Sequence, residues 1–245
     1  MCTRKVQETV KVGAVEFPPI LLGTSPFFGL TGFGTERAKH YRERFLAKPD
    51  MMVDIITESL RCGAGGVQTI APNAPLTREL GRPPLIEALR RVETRIDSRV
   101  ECVATVFDEE GIELLSEFNN KVIMTDGAVT DLLRADELLS LHDACKRRGI
   151  EFGLATHSPL NVIPKVRENQ ELWKKTKLLA CPINRRGYFM TGPVCRSRPE
   201  DRDRALEILR ESEKPILAIK TLAAGRTRPE EGCSYANRWS TRQSE

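Results

Sequence analysis

Two ionisable side chains stand where apolar segments of the sequence end. Lys220 puts an amine into the apolar run ILAIKTL, where burial disfavours its charge unless a carboxylate lies nearby. Such a lysine is a charge partner for a substrate, a Schiff-base nucleophile, or half of a structural ion pair across a sheet, with Asp126 as the candidate partner. Asp126 itself follows the run KVIMT and precedes Gly127. It is either a base or ligand, or the cap of the next turn.

His157 closes a third apolar run, FGLATH, and is the only histidine of three in such a position. Its imidazole suits the role of acid, base or ligand near neutral pH. We therefore predict Asp126, His157 and Lys220 as catalytic residues. A metal centre would need two or three further ligands at segment ends, and the sequence supplies mainly Asp126, so we predict no metal.

A scaffold that gathers segment ends is indicated by a repeated strand-then-helix pattern, which follows a short hairpin around Gly13. Parallel βαβ units are the usual result of this alternation. A doubly wound sheet and a (β/α)8 barrel both satisfy it. We predict a TIM-type barrel, because that fold collects polar strand ends at one face. The seven predicted strands begin near Pro19, Gly65, Arg99, Lys121, Ile150, Lys177 and Lys214.

Polar residues at other strand ends are predicted to bind the substrate. Thr24 and Ser25 end the first strand, and Gln68 lies in the second, where a neutral amide would orient a ligand. Arg185 follows the sixth strand in INRRG, where a guanidinium could hold a carboxylate or phosphate. The substrate is accordingly expected to be a small molecule.

The segment GTSPFFGLTGFG follows the first strand, and its last three glycines, Gly29, Gly32 and Gly34, have the spacing G-x-x-G-x-G. This reverses the dinucleotide fingerprint, in which each glycine has a positional role, so a Rossmann loop is not indicated. We predict that residues 26–50 form a lid-like insertion, with Phe27, Phe28 and Phe33 covering a ligand. In the alternative, these rings plug the top of the barrel.

The end of the chain lacks an eighth βα unit in the sequence pattern. After LAAGRTRPEE we find neither a helical period nor an apolar run fit for a strand, so residues 232–245 are predicted to be an irregular tail. Our hypothesis is a single barrel-like domain over 1–245 that is truncated or altered near residue 231, or completed by a partner. A homo-oligomer would cover its exposed strand edges.

Composition excludes several classes of function. The 38 basic and 34 acidic residues of the 245 give a formal charge of +4 with no like-charged block, so nucleic acid is not an expected partner. The seven cysteines are scattered and form no C-x-x-C pair, which is typical of reduced thiols. No apolar run approaches the ~20 residues of a membrane span. We expect a cytoplasmic protein that binds no membrane.

Several strand ends resemble those of the aldo/keto reductases. ILLGTSPFFG is similar to that family's opening strand, FGLATHSP and LLACPIN to its fifth and sixth strands, and IKTLAAGRTRPEE to the seventh-strand segment beside the cofactor. The resemblance implies a (β/α)8 barrel, NADP(H) as cofactor and an oxidoreductase activity. It also implies cofactor contacts at four residues of LLACPIN and IKTLAAGRTRPEE, namely Asn184, Leu222, Gly225 and Arg226.

The family's catalytic tetrad is not retained. Gln68 stands at the position of its aspartate, the tyrosine position falls near Asn73, and Asp126 stands where a histidine is expected. An oxidoreductase would therefore use a non-standard catalytic set. Two alternatives are a lyase or isomerase that forms a Schiff base at Lys220, and a non-catalytic barrel that binds a metabolite or a partner.

Overall fold

The computed structural model describes residues 9–29, 35–74, 84–191 and 198–241. The chain divides into two compact units. The first comprises Met1–Ile123 and Ala144–Glu151, and the second comprises Met124–Asp143 and Phe152–Glu245. The single domain over 1–245 stays a prediction, and each unit is described by itself. Phe33 lies outside the described residues.

Strands and helices alternate through the described part of the chain. The strands are β1 (Val10–Val12), β2 (Val15–Phe17), β3 (Leu21–Gly23), β4 (Gly66–Ile70), β5 (Glu101–Val106), β6 (Asn119–Thr125), β7 (Glu151–Ala155), β8 (Leu178–Pro182) and β9 (Ile216–Ile219). The helices are α1 (Thr35–Leu46), α2 (Pro49–Arg61), α3 (Pro84–Ile96), α4 (Glu109–Leu114), α5 (Gly127–Thr130), α6 (Ala135–Arg147), α7 (Pro159–Glu168), α8 (Gln170–Lys175), α9 (Pro199–Arg210) and α10 (Pro229–Thr241).

The principal sheet contains β3 to β9 in chain order, and β1 and β2 form a separate antiparallel hairpin. Neighbouring strands within each unit, β3–β4–β5 and β7–β8–β9, are parallel. A helical segment lies between successive parallel strands, so both faces of a strand are covered and nearly every residue of β5 and β8 is buried. This is the predicted TIM-barrel-like α/β fold, and the described residues contain seven of its strands and no eighth.

The predicted irregular tail is wrong as far as Thr241, because α10 spans Pro229–Thr241. Pro229 at the start and acidic residues in the first turn suit a helix N-terminus. The inward face is supplied by two aromatic residues four positions apart, half-buried Tyr235 and buried Trp239. These two large rings supply the apolar area that the helix buries, and the spacing of aliphatic residues along the chain gave no sign of it.

Two other helix boundaries also differ from expectation. The sequence TDLLRADELLSLHDACKRRG predicts a single helix from Thr130 onward, but the short turn α5 ends there and α6 begins at Ala135, after Leu133 with a φ of 58°. The proline in NVIPKVRENQELWKK predicts a helix interrupted at Pro164, but α7 continues through Pro164. The interruption occurs at Asn169, whose side-chain oxygen accepts a hydrogen bond from Leu172 N and so begins α8.

The insertion after β3 is structured where it is described. A short 3-10 turn covers Ser25–Phe28, and the charged segment behind it forms α1. No helix in the described part of the chain has both the length and the apolar character needed to cross a membrane.

Candidate active site

The three predicted catalytic residues belong to the second unit, and each lies beyond the carboxyl end of a strand. Asp126 follows β6, His157 lies two residues beyond β7, and Lys220 follows β9. The charge of Lys220 acts on both the Asp126 carboxyl and the His157 ring: it opposes the rise that burial causes in the Asp126 pKa, and it adds to the fall that burial causes in the His157 pKa. These three side chains therefore share one electrostatic environment, as expected for parallel strands that end at a common edge.

Asp126 caps α5 and keeps part of its carboxylate unused. Its Oδ1 accepts a hydrogen bond from Ala128 N at 2.9 Å, and its second oxygen has no hydrogen-bond partner among the described residues. Burial raises the pKa of this carboxyl, while the Ala128 N–H and the Lys220 charge oppose the rise. The cap and the candidate base are thus the same residue, because a carboxylate has two oxygens.

His157 has a neutral imidazole held in a tight space. A Cβ at Gly127 would lie 2.7 Å from its Nδ1, so only a glycine fits beside the ring. Neither ring nitrogen has a hydrogen-bond partner within the described ranges. Burial, and after it the Lys220 charge, lowers the pKa of His157 to about 4. The ring is therefore uncharged at neutral pH, with one N–H to donate and one nitrogen to accept.

Asp131 supports the turn that carries His157. Its Oδ1 accepts a hydrogen bond from the Thr156 hydroxyl at 2.5 Å, and its Oδ2 accepts one from His157 N at 3.4 Å. Burial raises the pKa of Asp131, against the hydrogen bond from Thr156. Thr156 in turn accepts a hydrogen bond from Ser158 N at 3.0 Å. Sequence reasoning missed Asp131, whose only signal is a second acid five residues after Asp126.

Lys220 lies in a strained backbone segment. Its φ is 54°, and Ala223 and Ala224 follow with φ values of 49° and 55°. Each non-glycine residue in this left-handed region costs about 1–2 kcal/mol. Strain of this kind persists only where the surroundings enforce it, and it clusters at functional sites. The amine nitrogen lies 5.3 Å from the centroid of the Phe189 ring.

Asn184, predicted to contact a cofactor, is fully buried, and its side chain bonds to the backbone of the loop that follows β8. Its side-chain nitrogen donates to Tyr188 O at 3.0 Å, and its side-chain oxygen accepts from Tyr188 N at 2.9 Å. These bonds explain why a polar amide is buried there.

The other residues predicted to contact a cofactor or an anion are exposed or half-buried. Arg226 is exposed, its guanidinium carbon lies 4.8 Å from the Tyr188 ring centroid, and it donates to Ala223 O at 3.3 Å. Gly225 is exposed and Leu222 is half-buried. Arg185 is exposed and pairs with Glu231 at 2.5 Å. Of the two arginines, Arg226 lies on the segment that begins at Lys220.

The remaining predicted substrate residues belong to the first unit. The Thr24 hydroxyl donates to Gln68 O at 2.9 Å, the Gln68 amide donates to Thr69 O at 2.8 Å, and Ser25 is half-buried. Phe27 and Phe28 are buried, and the Phe27 ring lies 4.9 Å from that of Phe45. Both rings pack into the core of this unit, which is the alternative to a lid.

Metal ligands do not cluster in the part of the chain that the structure describes: no group of three or more His, Cys, Asp or Glu side chains there could hold an ion. The side chains that meet at the site are a carboxylate with an unused oxygen, a neutral imidazole and an ammonium group. A set of this kind transfers protons and stabilises negative charge.

Comparison with known proteins shows a shared fold. No protein-family model matches the sequence, and no curated protein matches it by sequence. The N-acetylneuraminic acid (sialic acid) synthetase of Leptospira borgpetersenii serovar Hardjo-bovis, solved in complex with citrate, matches with a TM-score of 0.53 and 10% identity over 97% of this chain and 90% of that one. The dihydropteroate synthase of Burkholderia cenocepacia matches with a TM-score of 0.39 and 15% identity, over 97% and 98% of the chains. The first likeness supports the TIM-barrel-like fold, and the second is too distant to carry any argument.

Proposed function

We propose that this protein is an enzyme that moves a proton next to the carbonyl group of a small molecule. The observation that carries the proposal is the convergence of Asp126, His157 and Lys220 at three strand ends, with the second Asp126 oxygen and both His157 nitrogens unused by the described residues. Their shifted pKa values agree with it, because groups with such shifts are concentrated at functional sites.

Each side chain has a distinct role in this reaction. The free oxygen of Asp126 takes the proton from the carbon beside the carbonyl, and the electron pair of that C–H bond moves toward the carbonyl oxygen. Lys220 stabilises the negative charge that develops there, and the neutral His157 ring donates its N–H to the same oxygen. The raised pKa of Asp126 makes it a stronger base than an ordinary carboxylate.

Hydrogen–deuterium exchange tests this proposal without knowledge of the natural substrate. Small 2-oxo acids and hydroxyketones are incubated with the protein in deuterium oxide, and loss of the proton signal beside the carbonyl is followed by NMR. We expect catalysed exchange for at least one compound, reduced about 100-fold or more by Asp126→Asn and by Lys220→Met. Lys165→Met, at an exposed lysine of α7, is the matched control and should retain the rate. Exchange that survives both active-site substitutions would refute the assignment.

A Schiff base at Lys220 is a second candidate, favoured by the contact of its amine with an aromatic ring beside two proton-transfer groups. The neutral amine would attack the carbonyl carbon, and loss of water would leave a C=N bond. Borohydride would then reduce this imine to a stable secondary amine. Mass spectrometry should find the added mass on Lys220 and not on Lys165. An unmodified Lys220 rules the imine out for the carbonyl compounds tested.

The nicotinamide-dependent oxidoreductase of the aldo/keto reductase type stays a prediction, as does NADP(H) as the cofactor. Arg226 is an exposed cation of the relevant segment and is the residue we expect to meet a cofactor phosphate. Titration with NADPH, followed by its fluorescence, should saturate and should be weakened at least tenfold by Arg226→Gln. Absence of binding at millimolar NADPH counts against this function.

The non-catalytic alternative predicts binding without turnover. A carbonyl compound would raise the melting temperature of the protein, yet its proton would not exchange in deuterium oxide. A partner-binding form has a structural counterpart in β9, which ends the strand order of the principal sheet. Light scattering after size-exclusion chromatography would report a dimer in that case, and a monomer would oppose it.

A further inference from the structure

We infer that Phe189 is a positioning residue that holds Lys220 and His157 in a fixed relation at the site. The inference rests on the proposed function and adds a residue to it. The Phe189 ring lies 5.5 Å from the His157 ring, with 67° between their planes, and 5.3 Å from the Lys220 amine nitrogen. One aromatic side chain therefore contacts both an imidazole and an ammonium group that the proposed reaction uses.

Phe189 is itself fixed by its neighbours in the chain. Its ring lies 4.7 Å from the Tyr188 ring, and the guanidinium carbon of Arg226 lies 4.8 Å from that second ring. Two consecutive aromatic residues thus each contact a cation of the segment that follows β9, and Asn184 bonds both backbone groups of Tyr188. The arrangement joins the segment after β8 to the segment after β9.

The backbone supports a role beyond simple packing. Seven non-glycine residues have positive φ within the described ranges, and Phe189 at 55° and Lys220 at 54° are two of them. Both members of this cation–aromatic contact therefore occupy left-handed backbone, which its surroundings must enforce. A residue in such a conformation directs its side chain differently from one in a strand or helix. The strained pair places the ring beside His157.

The ring affects chemistry by excluding water and by orienting charge. Among the described residues, the charge of Lys220 from the segment after β9 acts on His157, Asp131 at the end of α5 accepts a hydrogen bond from His157 N, and the charge of Asp126 at the start of α5 acts on Asp131. An aromatic edge on the imidazole keeps water from it, and the aromatic ring attracts the ammonium group. Removal of the ring would let water reach His157 and would release Lys220 to other positions.

Three substitutions test the assignment. Phe189→Leu and Phe189→Met remove the ring, and the second keeps most of the volume in case the first variant fails to fold. Phe189→Tyr keeps the ring and serves as the conservative rescue. The pKa of His157 is measured in each by long-range proton–nitrogen NMR, with the His157 signals assigned from a His157→Gln variant. Circular dichroism confirms that the variants are folded.

We expect the pKa of His157 to rise by at least one pH unit in the two ringless variants and to stay near the wild-type value in Phe189→Tyr. A pKa that moves by less than about 0.3 units without the ring overturns the inference. This readout needs no substrate, so it is independent of the proposed activity. Where exchange activity is found, the ringless variants should lower kcat more than they raise KM. A change in KM alone would also overturn the inference.

Discussion

The uncharged state of His157 makes a quantitative prediction for the pH dependence of folding stability. The pKa of its imidazole is about 4 in the folded protein, against 6.5 for an ordinary histidine. Between these values the unfolded chain binds a proton that the folded chain does not. Stability from this group is therefore complete above pH 6.5, falls as the pH drops toward 4, and is constant below that.

The perturbation is His157→Gln, which removes the titration and keeps a neutral polar side chain. A histidine whose pKa is 6.5 in the unfolded chain and about 4 in the folded protein lowers the free energy of unfolding, relative to its value at high pH, by about 2 kcal/mol at pH 5 and by about 3 kcal/mol at pH 4. Relative to the variant, the wild type should therefore lose about 2 kcal/mol of unfolding free energy between pH 7.5 and pH 5. Comparison with the variant cancels the contributions of the other titrating groups.

Urea denaturation followed by tryptophan fluorescence measures this loss, because both tryptophans of the chain, Trp173 and Trp239, belong to the unit that contains His157. With a slope of about 2 kcal/mol per molar urea, the expected difference is a midpoint shift of about 1 M. Equal pH dependence of wild type and variant within about 0.5 kcal/mol would refute the reasoning. Lys220→Met should raise the pKa of His157 and leave it below 6.5, because burial is the larger cause of the shift.

Three further predictions concern packing, hydrogen bonding and thiol reactivity. Asn184→Ala should lower the unfolding free energy by about 2–3 kcal/mol in the same urea assay, because the Tyr188 N–H and C=O both lose their partner. Gly127→Ala should displace the His157 ring, cost about 1–3 kcal/mol and shift the imidazole NMR signals, because the new Cβ would lie 2.7 Å from Nδ1. Alkylation of the folded protein by iodoacetamide should modify exposed Cys62 and Cys233 and spare Cys102, Cys145 and Cys181. Burial excludes the reagent from these three thiols and raises their pKa, to about 12 for Cys102 and Cys145, and peptide mass spectrometry identifies the modified sites.

Each of these has a control or a contrary result. Arg185→Ala removes an exposed ion pair and should cost less than about 1 kcal/mol, so an equal loss in both variants would contradict the role given to Asn184. Gly23→Ala places its new Cβ more than 4 Å from every non-neighbouring atom of the described residues and should leave the His157 signals unchanged. Modification of the three buried thiols as fast as Cys62 would show that the core opens readily.

Local sequence patterns predicted most of the fold. The strands were recognisable because each is a short apolar run between polar turns, and the seven predicted segments contain β3 to β9, although β6 begins two residues before its predicted start. The cap of α4 is likewise a local feature, because Asp108 needs only the nearby Gly111 N–H to act as one. Helix α10 was missed because its buried face consists of two aromatic residues, which contribute area only where a neighbouring element covers them.

The residues of the candidate site also fall into a group that the sequence predicted and a group that it did not. Asp126, His157 and Lys220 could be selected from the sequence because an ionisable residue at the end of an apolar run is itself a local signal. Phe189 and Asp131 could not, since each depends on a neighbour 26 or more positions away: Phe189 on Lys220 and His157, and Asp131 on the backbone of His157. Burial determines the charge of His157, and burial is produced by segments distant in the sequence. The sequence by itself determined which groups are available for chemistry, and the tertiary structure decided their contacts and protonation, because both depend on non-local packing.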